Sequence, residues 1–289
     1  MKKLFLFVIF PLIFSFNISC QTAFKPVKYP KEYKAEIDLV YTEINDWKGR
    51  MDIYTNPISE KPTPIIINIH GGGWNHGVKE SQTGFKYFFN KGFAIANIEY
   101  RLVNVSPAPA AIEDIRCALI YLYNHAKELN IDTNKIVIMG GSAGGHLALM
   151  AGLLGNDKSF DTNCKYDDKI KVAAIIDKYA PVDLTLAVRG SVKKWLGNRY
   201  DNMEFIKSVS PLYYVNKNSP PTLIIHGTKD PLVPYQQSVL LYEKMKTNNI
   251  KTEIVSIEGG THGKFSKEQR FMINEKINTF LKDLKLIKD

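Results

Sequence analysis

"IVIMGGSAGGHLALMAGLL", residues 136–154, sets Ser142 among four glycines, after an apolar run of strand type and ahead of a helix-like pattern. Within it, "GGSAG" at 140–144 fits the pattern G-x-S-x-G. In that pattern the chain turns so tightly from strand to helix that the serine takes a strained backbone conformation. A side chain at Gly140 or Gly144 would collide with its neighbours. The expectation is a Ser142 hydroxyl raised above a sheet, at the positive end of the helix that follows. A glycine-rich turn without chemistry is the plain alternative, and the strand before and helix after weigh against it.

Outward from this turn, apolar runs alternate with amphipathic stretches. "EIDLVYT" (36–42) and "RMDIYTN" (50–56) read as an antiparallel pair around the turn "NDWKG". Further runs lie at 64–70, 93–101, 135–140, 172–180, 221–227 and 252–258, and helical patterns at 108–129, 144–154, 235–248 and 266–285. The central runs are nearly continuous in Val, Ile and Ala, as parallel strands covered on both faces require. The fold class is therefore α/β, a mostly parallel doubly wound sheet of about eight strands with helices on both faces, whose site lies at the carboxyl ends of the strands.

The polar residues fall where that expectation puts them. A serine hydroxyl needs a base and a group to orient the base. Among six histidines only His262, in "EGGTHG" after the last strand, sits on a loop in the chain order Ser, Asp, His. His146 reads as support on the helix after Ser142, His226 as a brace for the acid's loop, and His125 as a helix-surface residue. Asp230 in "HGTKDPLVP" is the expected acid; Asp183 in "APVDL" is the reserve, and Asp177 lies inside its strand. "HGGGW" at 70–74 offers amides for a developing oxyanion, with Gly72 and Gly73 as donors and Ala143 completing the hole. The segment lacks the P-loop lysine and the dinucleotide glycine spacing, and no cluster has metal-ligand spacing, so no cofactor and no metal are expected.

Together, "HGGGW", "EYRL" (99–102), "PAAIED" (109–114), "GGSAGGHLA", "PPTLIIHGTKDPLVP" and "GGTHG" resemble the α/β-hydrolase superfamily. Within it they resemble the esterases that include hormone-sensitive-lipase-like and bacterial feruloyl- or acetyl-esterase-like enzymes. The resemblance runs from about residue 37 to 285. It implies an α/β-hydrolase fold with Ser142 as nucleophile, Asp230 as acid, His262 as base and the "HGGG" amides as oxyanion donors. It also implies a bracing pair between Arg101 and Asp114. The segment between "YRL" and "PA" is the short "VNVS", and a small cap or specificity insert is expected near 183–215. That insert holds Trp195, Tyr200, Tyr213 and Tyr214; Trp195, with Trp74 beside the oxyanion loop, is a candidate substrate contact, and packing of the cap is the alternative.

The first twenty residues, "MKKLFLFVIFPLIFSFNISC", read as an export signal: Lys2 and Lys3, then an apolar run too short and too interrupted for a spanning helix. Residues 21–289 then form a single catalytic domain, exported to the periplasm, the medium or the cell surface. "FNIS" lacks the usual Leu or Val three residues before Cys20, so lipidation there stays open, and a lipid anchor is the one membrane contact considered. Removing the signal lowers the formal net charge from +9 to +7. The lysines alternate with acidic residues as solvated helix faces do, which is not a nucleic-acid signature. Cys117 sits on an apolar helical pattern and reads as an unpaired core residue rather than the partner of Cys164.

These readings point to a serine carboxylester hydrolase acting through an acyl-enzyme. Short-chain acyl or feruloyl esters are favoured substrates, as small molecules or linked to plant polysaccharide. A serine peptidase or formamidase would use the same triad, and acyl transfer to an acceptor other than water uses the same intermediate. A non-catalytic binding protein would be expected to have lost a triad or oxyanion residue, and none is missing.

Overall fold

The structure is a computed structural model that describes residues 24–187 and 190–287. The expected export signal, with Lys2, Lys3 and Cys20, lies outside the described residues. Eight strands form one sheet: β1 (Lys34–Ile44), β2 (Trp47–Thr55), β3 (Thr63–Ile69), β4 (Ala94–Ile98), β5 (Ile131–Gly141), β6 (Ala174–Lys178), β7 (Thr222–Gly227) and β8 (Thr252–Ile257). Their order is β1-β2-β4-β3-β5-β6-β7-β8. The β1–β2 and β2–β4 pairs are antiparallel and the rest parallel, so each apolar run expected to be a strand is one.

Successive side chains of a strand point to opposite faces, and here the two faces make two cores. Ile65, Ile67, Ile138 and Ile175 pack with α2 (Ala110–Asn124), α3 (Ala143–Leu154) and α6 (Gln236–Thr247). Ile66, Val137, Met139 and Ile176 pack with α1 (Lys86–Asn90) and α7 (Lys267–Asp283). Both faces are thus apolar, the physical reason that β3, β5 and β6 read as continuous rather than alternating runs. Between β6 and β7 the chain makes the expected insert, with short helices α4 (Gly190–Leu196) and α5 (Met203–Ser208) and 3₁₀ turns on either side.

Arg101 and Asp114 brace the front edge of the sheet. Asp114 is fully buried at the start of α2 and accepts from the Arg101 backbone N–H at 2.7 Å and from its Nε at 2.9 Å. Burial lifts the Asp114 carboxyl to about 6, against the pull of the guanidinium. Breaking such a pair leaves a buried charge unpaired, so the contact is structural.

One expectation is corrected. Cys117 is in the core, yet it is bonded to Cys164, 47 residues on. The loop between α3 and β6 folds back over α2: Arg116 donates to Asp161 at 2.7 Å and the Tyr123 hydroxyl donates to the Lys171 carbonyl at 2.7 Å. That return path carries Cys164 to α2, and apolar periodicity does not encode it. Replacing both cysteines by alanine should lower unfolding free energy by about 2–4 kcal/mol in urea titrations. No measurable loss would mean that the Arg116–Asp161 pair holds the loop unaided.

Candidate active site

Ser142 closes β5 and opens α3 with φ 56° and ψ −124°. A non-glycine residue at positive φ is strained and persists only where its surroundings fix it. Here the fixing is backbone on backbone. A Cβ on Gly144 would strike the carbonyls of Ile69 and His70, and one on Gly140 would strike Gly144 itself. Only glycine lets α3 start this close to β3. On the other side, the Ser142 N–H donates to the Lys178 carbonyl at 2.9 Å, tying the turn to β6.

Asp230 and His262 come from the loops after β7 and β8. The His262 ring nitrogen Nδ1 lies 2.7 Å from Asp230 Oδ2. Because the carboxylate only accepts, Nδ1 carries the proton and Nε2 of the neutral ring is left to accept one. Asp230 has no exposed side-chain surface, and its Oδ1 accepts the N–H groups of Leu232 and Val233 at 2.8 and 2.9 Å. His226 Nε2 approaches Asp230 Oδ2 at 3.2 Å while bonding the Val233 carbonyl at 3.0 Å. A carbonyl cannot donate, so Nε2 of His226 holds its proton, and the Ser238 hydroxyl donates to Nδ1 at 2.7 Å. Burial pushes the His226 imidazolium below its ordinary value, in keeping with a neutral brace. The reserve acid Asp183 is turned elsewhere and caps a 3₁₀ turn through Thr185 at 3.0 Å.

Ser142, His262, Gly72 and Gly73 line one cleft of about 850 Å³. Gly72 and Gly73 have φ 118° and 55°, and a Cβ on Gly72 would meet the His76 carbonyl. Their N–H groups, and that of Ala143 at the first position of α3, hydrogen-bond no other described residue. These are the features an oxyanion site needs: free donors on an unencumbered loop beside the hydroxyl. Among the described residues, Ser142 and His262 share the cleft without a hydrogen bond between their side chains, and no group of three or more His, Cys, Asp or Glu is placed to hold a metal ion.

The match to known proteins agrees with this geometry, with the BD-FAE family covering residues 51–245. The chain belongs to the BD-FAE family. It is an α/β hydrolase, and residues 205–289 also match the TAP-like protein family. Esterase LipC of Mycobacterium tuberculosis is 26% identical over 219 residues, which cover 70% of this chain and 53% of LipC. A truncated carbohydrate esterase from gut microbiota superposes with TM-score 0.76 at 25% identity, covering 87% of this chain and 98% of that one. An acetyl ester-xyloside bifunctional hydrolase from Caldicellulosiruptor lactoaceticus gives TM-score 0.73 at 27% identity, covering 84% and 91%. The chain spans about half the length of the curated relatives it matches.

In this BD-FAE member the two tryptophans take places that the sequence does not announce. Trp74 borders the cleft but is 1% exposed, and Trp195 is wholly buried and stacked on it at 4.6 Å. Trp195 thus packs the insert against the oxyanion loop and does not itself line the cleft. His146 meets both rings edge-on and bonds the Val209 carbonyl at 2.8 Å, the support expected of it. Burial lowers the His146 imidazolium to about 4.

Two residues of the site were not singled out. Tyr179, at φ 46°, sets its ring 4.8 Å from that of His262, and burial with the charges of Asp230 and Asp177 raises its hydroxyl. Its signal was position alone, two residues past Asp177 at a strand end. Lys178 lines the same cleft as Ser142 and Tyr179.

Asp177 lies under α3, accepts the Ala180 N–H at 3.1 Å, and leaves Oδ2 without a partner. Burial lifts it from 3.8 to about 7. A carboxyl raised in the folded state adds stability that is complete below its unfolded value and is lost as pH rises through the folded one. Relative to Asp177→Asn, the wild-type urea midpoint should therefore fall as pH rises from about 4 to about 7. A constant difference over that window would mean that the buried carboxyl is already charged.

Proposed function

We propose that this chain is a serine carboxylesterase. The carrying observation is the Asp230–His262 bond at 2.7 Å, with His262 in one cleft with a positive-φ serine and the free amides of Gly72 and Gly73. The esterase names of the relatives and structural neighbours support the same reading.

In this mechanism His262 Nε2 takes the Ser142 hydroxyl proton as Oγ attacks the ester carbonyl carbon. The Gly72, Gly73 and Ala143 amides receive the oxyanion of the tetrahedral intermediate. The C–O bond to the alcohol breaks, His262 gives its proton to the departing alkoxide, and an acyl-serine remains. Water then loses a proton to His262 and attacks the acyl carbon; the acid departs, and the proton returns to Ser142. Asp230 holds the imidazole in the required tautomer and faces the charge that forms on it.

The substrate class within this reading is a short-chain acyl or feruloyl ester, on a small molecule or on plant polysaccharide. Support comes from the carbohydrate esterase and acetyl ester-xyloside hydrolase among the neighbours. Export through residues 1–20, with Cys20 as an acylated anchor if it is lipidated, belongs to the same proposal and rests on the sequence.

Ser142→Ala should lower kcat on p-nitrophenyl acetate by ~10⁵-fold or more, with unchanged thermal unfolding. Retained turnover would remove Ser142 from the mechanism. Comparable wild-type turnover of methyl ferulate and p-nitrophenyl acetate would support the aromatic acid, whereas cleavage of the acetate alone overturns the feruloyl reading.

A further inference from the structure

The charge lining the cleft is lopsided. Among the described residues that line it there is no Asp or Glu, and Lys178 is the sole Lys or Arg. The nearest carboxylate, Asp230, is fully buried behind His262 and bound to it.

Lys178 reaches this position through strand alternation. Ile176 packs on the α1–α7 face, so Lys178, two residues on, leaves the sheet on the same face, beyond the last apolar layer. It pairs in register with Gly141, over which the Tyr179 ring lies, and its own carbonyl receives the Ser142 N–H. The Lys178 backbone thus adjoins Ser142, and Lys178 lines the same cleft as Ser142 and His262. It has no ion pair and no hydrogen bond to another described side chain, unlike Lys79, which meets Asp38, Asp52 and Glu80. Burial pushes it below its ordinary value, as expected of a cation without a counter-charge. Of the other lining residues, Asn68, Asn75, Gln82 and Gln237 are neutral and Leu186, Leu232 and Val233 are apolar. A lone, partly desolvated cation is costly unless a ligand supplies its counter-ion.

We infer that Lys178 is a specificity residue that pairs with a free carboxylate on the ester substrate, so that the preferred class is a carboxylate-bearing ester. This rests on the esterase reading and narrows it. The carboxylate lies either on the acyl part, as in a dicarboxylic half-ester, or on the alcohol part, as in the ester of a hydroxy acid or an acidic sugar. A lysine ammonium is a compact charge on a flexible stem and accepts either approach.

The test compares initial rates on anionic and neutral partners. Monomethyl succinate against dimethyl succinate probes the acyl side; 2-acetoxypropanoate against its methyl ester probes the alcohol side. Wild type should favour the anionic member of at least one pair in kcat/KM, and the pair that responds names the side. In Lys178→Met that preference should collapse by about ten- to hundredfold, the worth of one charge-assisted hydrogen bond, with the loss expressed mainly in KM. Lys178→Arg should restore part of it. A wild type that prefers the neutral esters, or a Lys178→Met variant that slows all four esters equally, overturns the assignment. If wild type cleaves none of them and p-nitrophenyl acetate is also inert, the esterase reading has failed on its own. The anion site is then decided by calorimetric titration with succinate, where binding that Lys178→Met abolishes supports it and equal or absent binding refutes it.

Discussion

A backbone that cannot relax holds this site together. Ser142 sits at positive φ because α3 begins in contact with the carbonyls of β3 and is tied by an amide to β6. Three adjacent strands therefore agree on one turn, and strain of order 1–3 kcal/mol is tolerated because any relief would separate them. The same contact fixes the Ala143 N–H, which hydrogen-bonds no other described residue, next to Ser142. The Ser142 hydroxyl and the Ala143 amide thus stand in fixed relation, as the electrostatic preorganisation of the proposed mechanism demands.

Around this turn the polar groups are placed in two tiers that differ in solvent access. Asp230 satisfies both oxygens within the protein and passes its influence outward through His262, which is 18% exposed. Asp114, Asp177 and His146 are fully buried and act on packing: one fastens α2, one lies beneath α3, and one joins the insert to α3. Desolvation moves the protonation equilibria of all three.

The sheet and its long helices were legible because burial on two faces forces apolar continuity, and sequence records continuity directly. Ser142, Asp230 and His262 were legible as residue types at strand ends, and the structure bonds Asp230 to His262 and sets Ser142 in the same cleft as His262. The insert was legible only as an interval: α4 and α5 are too short for a periodic signal, and the part that packs against both α3 and α6 is the 3₁₀ turn Pro211–Tyr214. Trp195 reads equally as a ligand platform or a packing ring, and only the stacked Trp74 decides. The Cys117–Cys164 bond depends on a loop's return path, which residue spacing does not contain. Lys178 was overlooked for a different reason. A lysine at a strand end reads as solvated, and its lack of a partner becomes visible only when the cleft closes around it.

The stacking of Trp74 on Trp195 fastens the insert to the oxyanion loop, and the Ala108 N–H donates to the Trp195 carbonyl at 2.8 Å to lock the same joint. Of the three tryptophans in the chain, these two are face to face at 4.6 Å, while Trp47 lies apart under the Arg101 guanidinium. Two indoles so close couple their electronic transitions, so this joint contributes to the aromatic circular dichroism of the protein beside its other tyrosines, phenylalanines and Trp47. The molecule thus has a built-in optical gauge of whether the wall beside its oxyanion loop is seated, readable without any label.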